Sequence, residues 1–118
     1  MKENVILDKS FAFAVQIVHL SRILQSEQKE FVLSRQILRS GTSIGANIEE
    51  AEGSISKREF TAKMQIAYKE ARETRYWIRL MKATKLVEPI LADSILADCE
   101  ELIRILVAIL RSSKPIMS

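Results

Sequence analysis

Two sets of side chains in this sequence have the types and spacing for specific interactions. Arg39, Ser43, Asn47, Glu50 and Ser54 recur every three or four residues beside an apolar stripe of Ile44, Ile48 and Ala51. A helix that needs only a core has no use for a second ordered stripe of hydrogen-bonding groups. The stripe therefore marks a partner, a ligand or a polar network. Tyr68, Arg72, Arg75, Arg79 and Lys82 share one edge of a second helix, with Lys69 on the adjacent arc and Tyr76 nearby. Arg75, Arg79 and Lys82 have no acid three or four residues away, so they are not ordinary intrahelical pairs. Cations beside an aromatic suit a polynucleotide, whose phosphates they neutralise and whose bases stack. The plainer alternative is a solvated face balanced by Glu49, Glu50 and Glu52, or by Asp98, Glu100 and Glu101.

Catalytic chemistry finds little support. A di-iron site in a helical bundle needs carboxylates with Glu-x-x-His pairs. The single histidine, His19, is preceded by Gln16 at that spacing. Cys99 sits among apolar residues without a histidine beside it, and buried structural thiols are inert. Grouped Arg and His for RNA cleavage would reduce to His19 and Arg22. Gly41 and Gly45 lack the Lys-Ser or Lys-Thr of a phosphate loop. The sequence thus implies no enzyme, no metal and no cofactor.

The elements that must position these residues are helices. Glycine and proline number only three and two, and apolar residues follow a period near 3.6. The pattern predicts four helices, over about 8–25, 27–53, 57–85 and 89–112, in a single domain spanning 1–118. Asp8 is the expected cap of the first, and Glu27 and Glu30 lie in the expected first turn of the second. Gly53 is the expected terminator in a positive-φ conformation. Gly41 and Gly45 each cost about 1 kcal/mol in a helix, which predicts a kink or a close backbone approach. Ser56-Lys57-Arg58-Glu59 is a capping box. Phe60, Met64, Ala67, Ala71, Thr74, Ile78 and Met81 then form a heptad seam. Pro89 opens the fourth helix, and Ser113 to Ser118 are expected to fray. Short connections give an all-α, antiparallel up-down-up-down four-helix bundle.

Apolar residues exceed what one such core uses. The first and fourth helices are apolar over wide arcs, and Ile66, Trp77 and Leu80 lie on the third helix away from its basic residues. Surplus of this kind marks a subunit interface, so a homo-oligomer is expected; the plainer alternative is a compact bundle that covers these residues through wide packing. In the polar stripe, Arg39 should meet Glu70 or Glu73, and Asn47 a backbone group or Glu50. Such a network predicts a cost of at least about 1 kcal/mol for Asn47→Ala or Glu50→Ala. Lys69 can pair with Glu73.

Net charge is +3, yet Lys57 to Lys85 alone carries nine Lys or Arg against three Glu. A basic segment in an otherwise acidic molecule suggests an anionic partner or self-complementary assembly. One cysteine, no secretory-type leader and no long uncharged apolar run suggest a cytoplasmic protein without a membrane partner.

Ser43-Ile44-Gly45-Ala46-Asn47-Ile48-Glu49-Glu50 and Ala67-Tyr68-Lys69-Glu70-Ala71-Arg72-Glu73-Thr74-Arg75-Tyr76-Trp77 resemble the proteins encoded in intervening sequences of bacterial 23S ribosomal RNA genes. These are often labelled the S23 ribosomal protein family. The resemblance covers nearly the whole chain. Ala51 stands where the common form of the first motif, Ser-Ile-x-x-Asn-Ile-x-Glu-Gly, has glycine. The resemblance implies an antiparallel four-helix bundle assembled as a ring, expected to be a pentamer, in the bacterial cytoplasm and without known enzymatic activity. Despite the label, family members are not established structural components of the ribosome. A related branch serves diversity-generating retroelements, where a basic pentameric barrel binds nucleic acid and the reverse transcriptase. Two functions follow as expectations: a homo-oligomeric scaffold binding RNA or DNA through the basic edge, or a module that binds only proteins, itself included.

Overall fold

The apolar periodicity produces four long helices in the computed structural model, which describes residues 2–113. They are α1 (Lys2–Glu27), α2 (Val32–Glu52), α3 (Lys57–Ala83) and α4 (Pro89–Ser113). Each neighbouring pair runs antiparallel. Ser10 and Ser21 of α1 face Gly45 and Ser34 of α2, and Ser40 and Glu50 of α2 face Thr74 and Lys63 of α3. Ala71 and Lys82 of α3 face Cys99 and Asp93 of α4. Lys9 and Gln16 of α1 face Glu101 and Asp98 of α4. The result is an up-down-up-down bundle 49 × 23 × 22 Å.

The anticipated stripes meet at the axis. Phe13, Ile17, Leu20 and Leu24 pack with Ile44, Ile48 and Ala51, the α3 seam from Met64 to Met81, and Ile95, Cys99, Leu102, Leu106 and Ile109. Phe60, at the start of the seam, is partly buried against this core. Ala51 is itself buried, so the core accepts a side chain where the common motif has glycine.

Helix ends differ from the sequence pattern in instructive ways. α1 starts at Lys2, so Asp8 lies inside it and caps nothing. It also continues through Glu27. The chain then turns at Lys29, which adopts φ 53°, and the Glu30 amide returns to the Leu24 carbonyl. α2 begins only at Val32, because the Glu30 carboxylate accepts from the amides of Val32, Leu33 and Ser34. Those are the donors that a helix start leaves unpaired. Gly53 ends α2 at φ −87°, not in the left-handed region. The second left-handed turn falls on Lys85, at φ 62°, just past α3. The capping-box serine behaves as expected: Ser56 Oγ accepts from the Glu59 amide at 3.0 Å. The expected fraying lies outside the described residues except at Ser113, which still belongs to α4.

Gly41 and Gly45 resolve as close approaches. A Cβ at Gly41 would sit 2.8 Å from both γ carbons of Ile17, and one at Gly45 would sit 3.3 Å from the Ser10 carbonyl oxygen. The two glycines let α1 rest directly on the α2 backbone.

Candidate nucleic-acid interface

The residues of α3 divide by where the helix turns them. The seam faces the core, one flank faces α2, and the opposite flank with the outward arc carries the cations. On the α2 flank, Arg39 donates from Nη1 to Glu70 at 3.1 Å and from Nη2 to Glu73. Glu73 also accepts from the Trp77 indole at 2.9 Å. Arg39 stays half exposed, so this network fixes geometry more than it adds stability. Behind it, Thr74 Oγ1 donates to the Glu70 carbonyl at 2.7 Å and lies 2.9 Å from Ser40 Oγ, fully buried.

The remainder of the α2 polar stripe does not cross to another helix as expected. Ser43 Oγ donates to the Arg39 carbonyl, Asn47 Nδ2 to the Ser43 carbonyl, and Ser54 Oγ to the Glu50 carbonyl. Each bond runs one turn back along the chain, a local satisfaction open to short polar side chains. Asn47 thus finds a backbone group and not Glu50. Glu50 instead pairs with Lys63 at 2.6 Å, and this hydrogen bond and charge hold the Lys63 ammonium above its ordinary pKa. The Lys69–Glu73 pair does not form, because Arg39 and Trp77 occupy that carboxylate.

On the opposite flank the basic residues split. Arg75 lies 3.9 Å from Glu100, and Lys82 lies 2.6 Å from Asp93. To that extent the solvated-face alternative holds, with Asp93 an unanticipated partner. Asp98 and Glu101 are engaged elsewhere, by Gln16 and Lys9. Lys69, Arg72 and Arg79 are exposed and have no carboxylate partner among the described residues. Arg72 is held by its own helix: Nη1 donates to the Tyr68 hydroxyl at 3.0 Å, and the guanidinium lies 5.8 Å from that ring's centroid. A guanidinium pre-positioned without a counter-charge is a ready phosphate donor.

Two open grooves follow the α3–α4 edge. One, of about 550 Å³, is lined by Tyr76, Arg79, Leu80, Lys82, Ala83 and Leu96. The other, of about 290 Å³, is lined by Thr61, Gln65, Tyr68, Val107, Leu110 and Arg111. Sequence periodicity does not reveal Arg111, because its link to the edge runs between two helices. An arginine near the end of α4 joins the edge only once the antiparallel register is known.

Of the apolar surplus, Trp77 and Leu80 are partly buried and Ile66 is 41% exposed. α1 exposes more: Phe11 is 69% and Val15 42% exposed. His19 lies exposed on α1. Cys99 is buried in α4, donates to the Ala71 carbonyl at 3.4 Å, and has its thiol pKa pushed up to about 12 by burial. Among the described residues no three metal-ligating side chains lie together. No described helix is long and apolar enough to cross a membrane.

The arrangement of four antiparallel helices with this edge can be compared with known proteins. The family model of the 23S rRNA-intervening sequence protein matches residues 2–108. The chain belongs to this family. A solved structure from Bacteroides thetaiotaomicron VPI-5482, described as a protein of unknown function from the S23 ribosomal protein family, is 51% identical. It matches 94% of this chain and 99% of its own, with a TM-score of 0.92. Comparison with curated proteins gave no match. Sequence and fold thus agree on the 23S rRNA-intervening sequence family.

Proposed function

We propose that this protein is a non-enzymatic, homo-oligomeric scaffold that binds RNA or DNA through phosphate contacts along the outward edge of α3. The observation that carries this reading is a run of unpaired cations on one arc of α3. Arg39, Lys63, Arg75 and Lys82, on the flanks of the α2–α3–α4 surface, all find carboxylates, whereas Lys69, Arg72 and Arg79 on the outward arc find none. The free cations are available to neutralise phosphates and release counterions. Arg75 and Lys82 sit in exposed pairs worth little in water, so phosphates can compete for them.

Assembly rests on the exposed apolar residues Phe11 and Val15 of α1 and Ile66 of α3. Repeating the edge around a ring would multiply weak contacts into useful avidity. Five subunits, the number the resemblance implies, is the expected outcome of light scattering at several concentrations.

The binding test compares the intact protein with Arg72→Ala/Arg79→Ala in a salt titration against labelled RNA or DNA. Binding at ~50 mM salt should weaken steeply as salt rises. The double variant should have a log–log slope shallower by about 0.7 per lost single-strand contact. No retention of either polynucleotide at ~50 mM salt would end the proposal. The exposed α1 residues keep one rival in view, a module that binds only proteins. A salt-independent protein partner captured after nuclease treatment would favour it.

A further inference from the structure

The groove at the α3–α4 edge contains more than phosphate binding needs. Its cations are Arg79 and Lys82, but its remaining walls are Tyr76, Leu80, Ala83 and Leu96. Tyr76 is 54% exposed, and its hydroxyl makes no hydrogen bond among the described residues. Its ring meets the Trp77 ring edge-on, with centroids 5.2 Å apart and planes at 71°. Trp77 in turn is tethered by its indole to Glu73. The tyrosine is therefore braced through a neighbour while remaining open to solvent. A large aromatic left half exposed in a concave, apolar-walled space gains nothing from a phosphate.

We propose that this groove selects single-stranded over double-stranded polynucleotide by accepting one unstacked base against Tyr76, with Arg79 beside it to hold the adjoining phosphate. A duplex keeps its base faces stacked inside and can offer this groove only its backbone. A single strand can offer both a phosphate and a π-face. The volume, about 550 Å³, leaves room for a base beside the ring. Arg72, Tyr76 and Arg79 span eight residues, about 10 Å of helix axis. Each copy of the edge would thus hold a stretch of only a few nucleotides. This inference rests on the phosphate-binding reading above and adds the state of the nucleic acid that the site recognises.

The experiment uses the intact protein and three labelled probes of about 20 nucleotides at ~50 mM salt. They are a mixed-sequence single strand, the same sequence as a duplex, and an abasic strand with the same phosphates. The single strand should bind several-fold more tightly than either of the others. Tyr76→Ala should weaken it by roughly 5- to 150-fold, the range for losing one stacked base, and leave the abasic strand unchanged. Tyr76→Phe, which keeps the ring and guards against loss of fold, should bind like the parent. Emission from Trp77, the sole tryptophan, should change with the base-bearing strand and not with the abasic one. Equal binding of all three probes with Tyr76→Ala neutral overturns this inference. If Arg72→Ala/Arg79→Ala still weakens binding in that case, the phosphate reading stands without it. Failure of every probe to bind overturns both.

Discussion

Helix α2 and the outward edge of α3–α4 are built on opposite principles. Along α2 small residues interleave with the core isoleucines: Ser34, Ser40, Gly41 and Gly45 are buried beside Ile37, Ile44 and Ile48. The polar groups there are answered within a turn or by the adjacent helix. Along the edge the residues are long: Arg72, Arg75, Arg79 and Lys82, of which Arg79 and Lys82 line an open groove. Half of them are answered by α4 and half are not. Small residues with satisfied groups bring backbones together and leave nothing for a ligand. Long cations with unsatisfied charge do the reverse. The difference separates a surface that holds the bundle from one suited to an anionic partner.

The largest expected effect tests whether the edge is backed by a dry interior. Cys99 lies behind the edge with its thiol on the Ala71 carbonyl, and its pKa is raised to about 12 against an ordinary 9.0. A folded pKa above the unfolded one means the native state holds its proton longer. The associated stability is complete below pH 9 and is lost as pH rises towards 12. Within that window the loss approaches about 1.4 kcal/mol per pH unit. Denaturant melts of the parent and of Cys99→Ala should therefore converge as pH increases. A constant difference between them would mean that water reaches the thiol, and the contrast between a closed inside and an open outside would weaken.

A smaller effect sharpens the account of α2. Gly41→Ala recovers about 1 kcal/mol of helix propensity. Against this, the new methyl meets the stiff, β-branched Ile17 at 2.8 Å, and overpacking costs about 1–3 kcal/mol. A net loss of up to about 2 kcal/mol is expected in a urea melt. Gly53→Ala is the control: its methyl would find only backbone oxygens at 3.8 and 3.9 Å, and φ is −87°. Its stability should change little. Equal responses at the two glycines would contradict close α1–α2 packing.

Much of this contrast is legible in the sequence, for identifiable reasons. The four helices, their core faces and the Arg39–Glu70/Glu73 link follow from periodicity and charge within one or two elements. The heptad seam of α3 is legible because burial repeats. What is not legible depends on distances between elements. The sequence cannot show that Glu73 is taken by Trp77 and Arg39 and so lost to Lys69. Nor can it show that Asp93 reaches Lys82, or that Arg111 meets Tyr68 and Gln65 across a groove. Helix ends misled for a related reason. The turns at Lys29 and Lys85 adopt the left-handed conformation without glycine, held by amides returning to Leu24 and Met81. A glycine-based rule places the turn at Gly53 instead.

The smallest effect is the one that decides between a binding stripe and an architectural one on α2. A network across helices predicts a cost of about 1 kcal/mol or more for Asn47→Ala. In the structure the Asn47 amide is satisfied by the Ser43 carbonyl of its own helix at 2.8 Å, and the side chain is only partly buried. That carbonyl is already within the α2 helix, so losing the amide leaves no buried group stranded. Alanine is also the better helix former by several tenths of a kcal/mol. The two terms nearly cancel, and the change in urea midpoint should correspond to within about 0.5 kcal/mol of zero. A loss well above 1 kcal/mol would mean that Asn47 contacts something beyond its own helix. The apolar-flanked stripe would then regain its claim as a site of assembly.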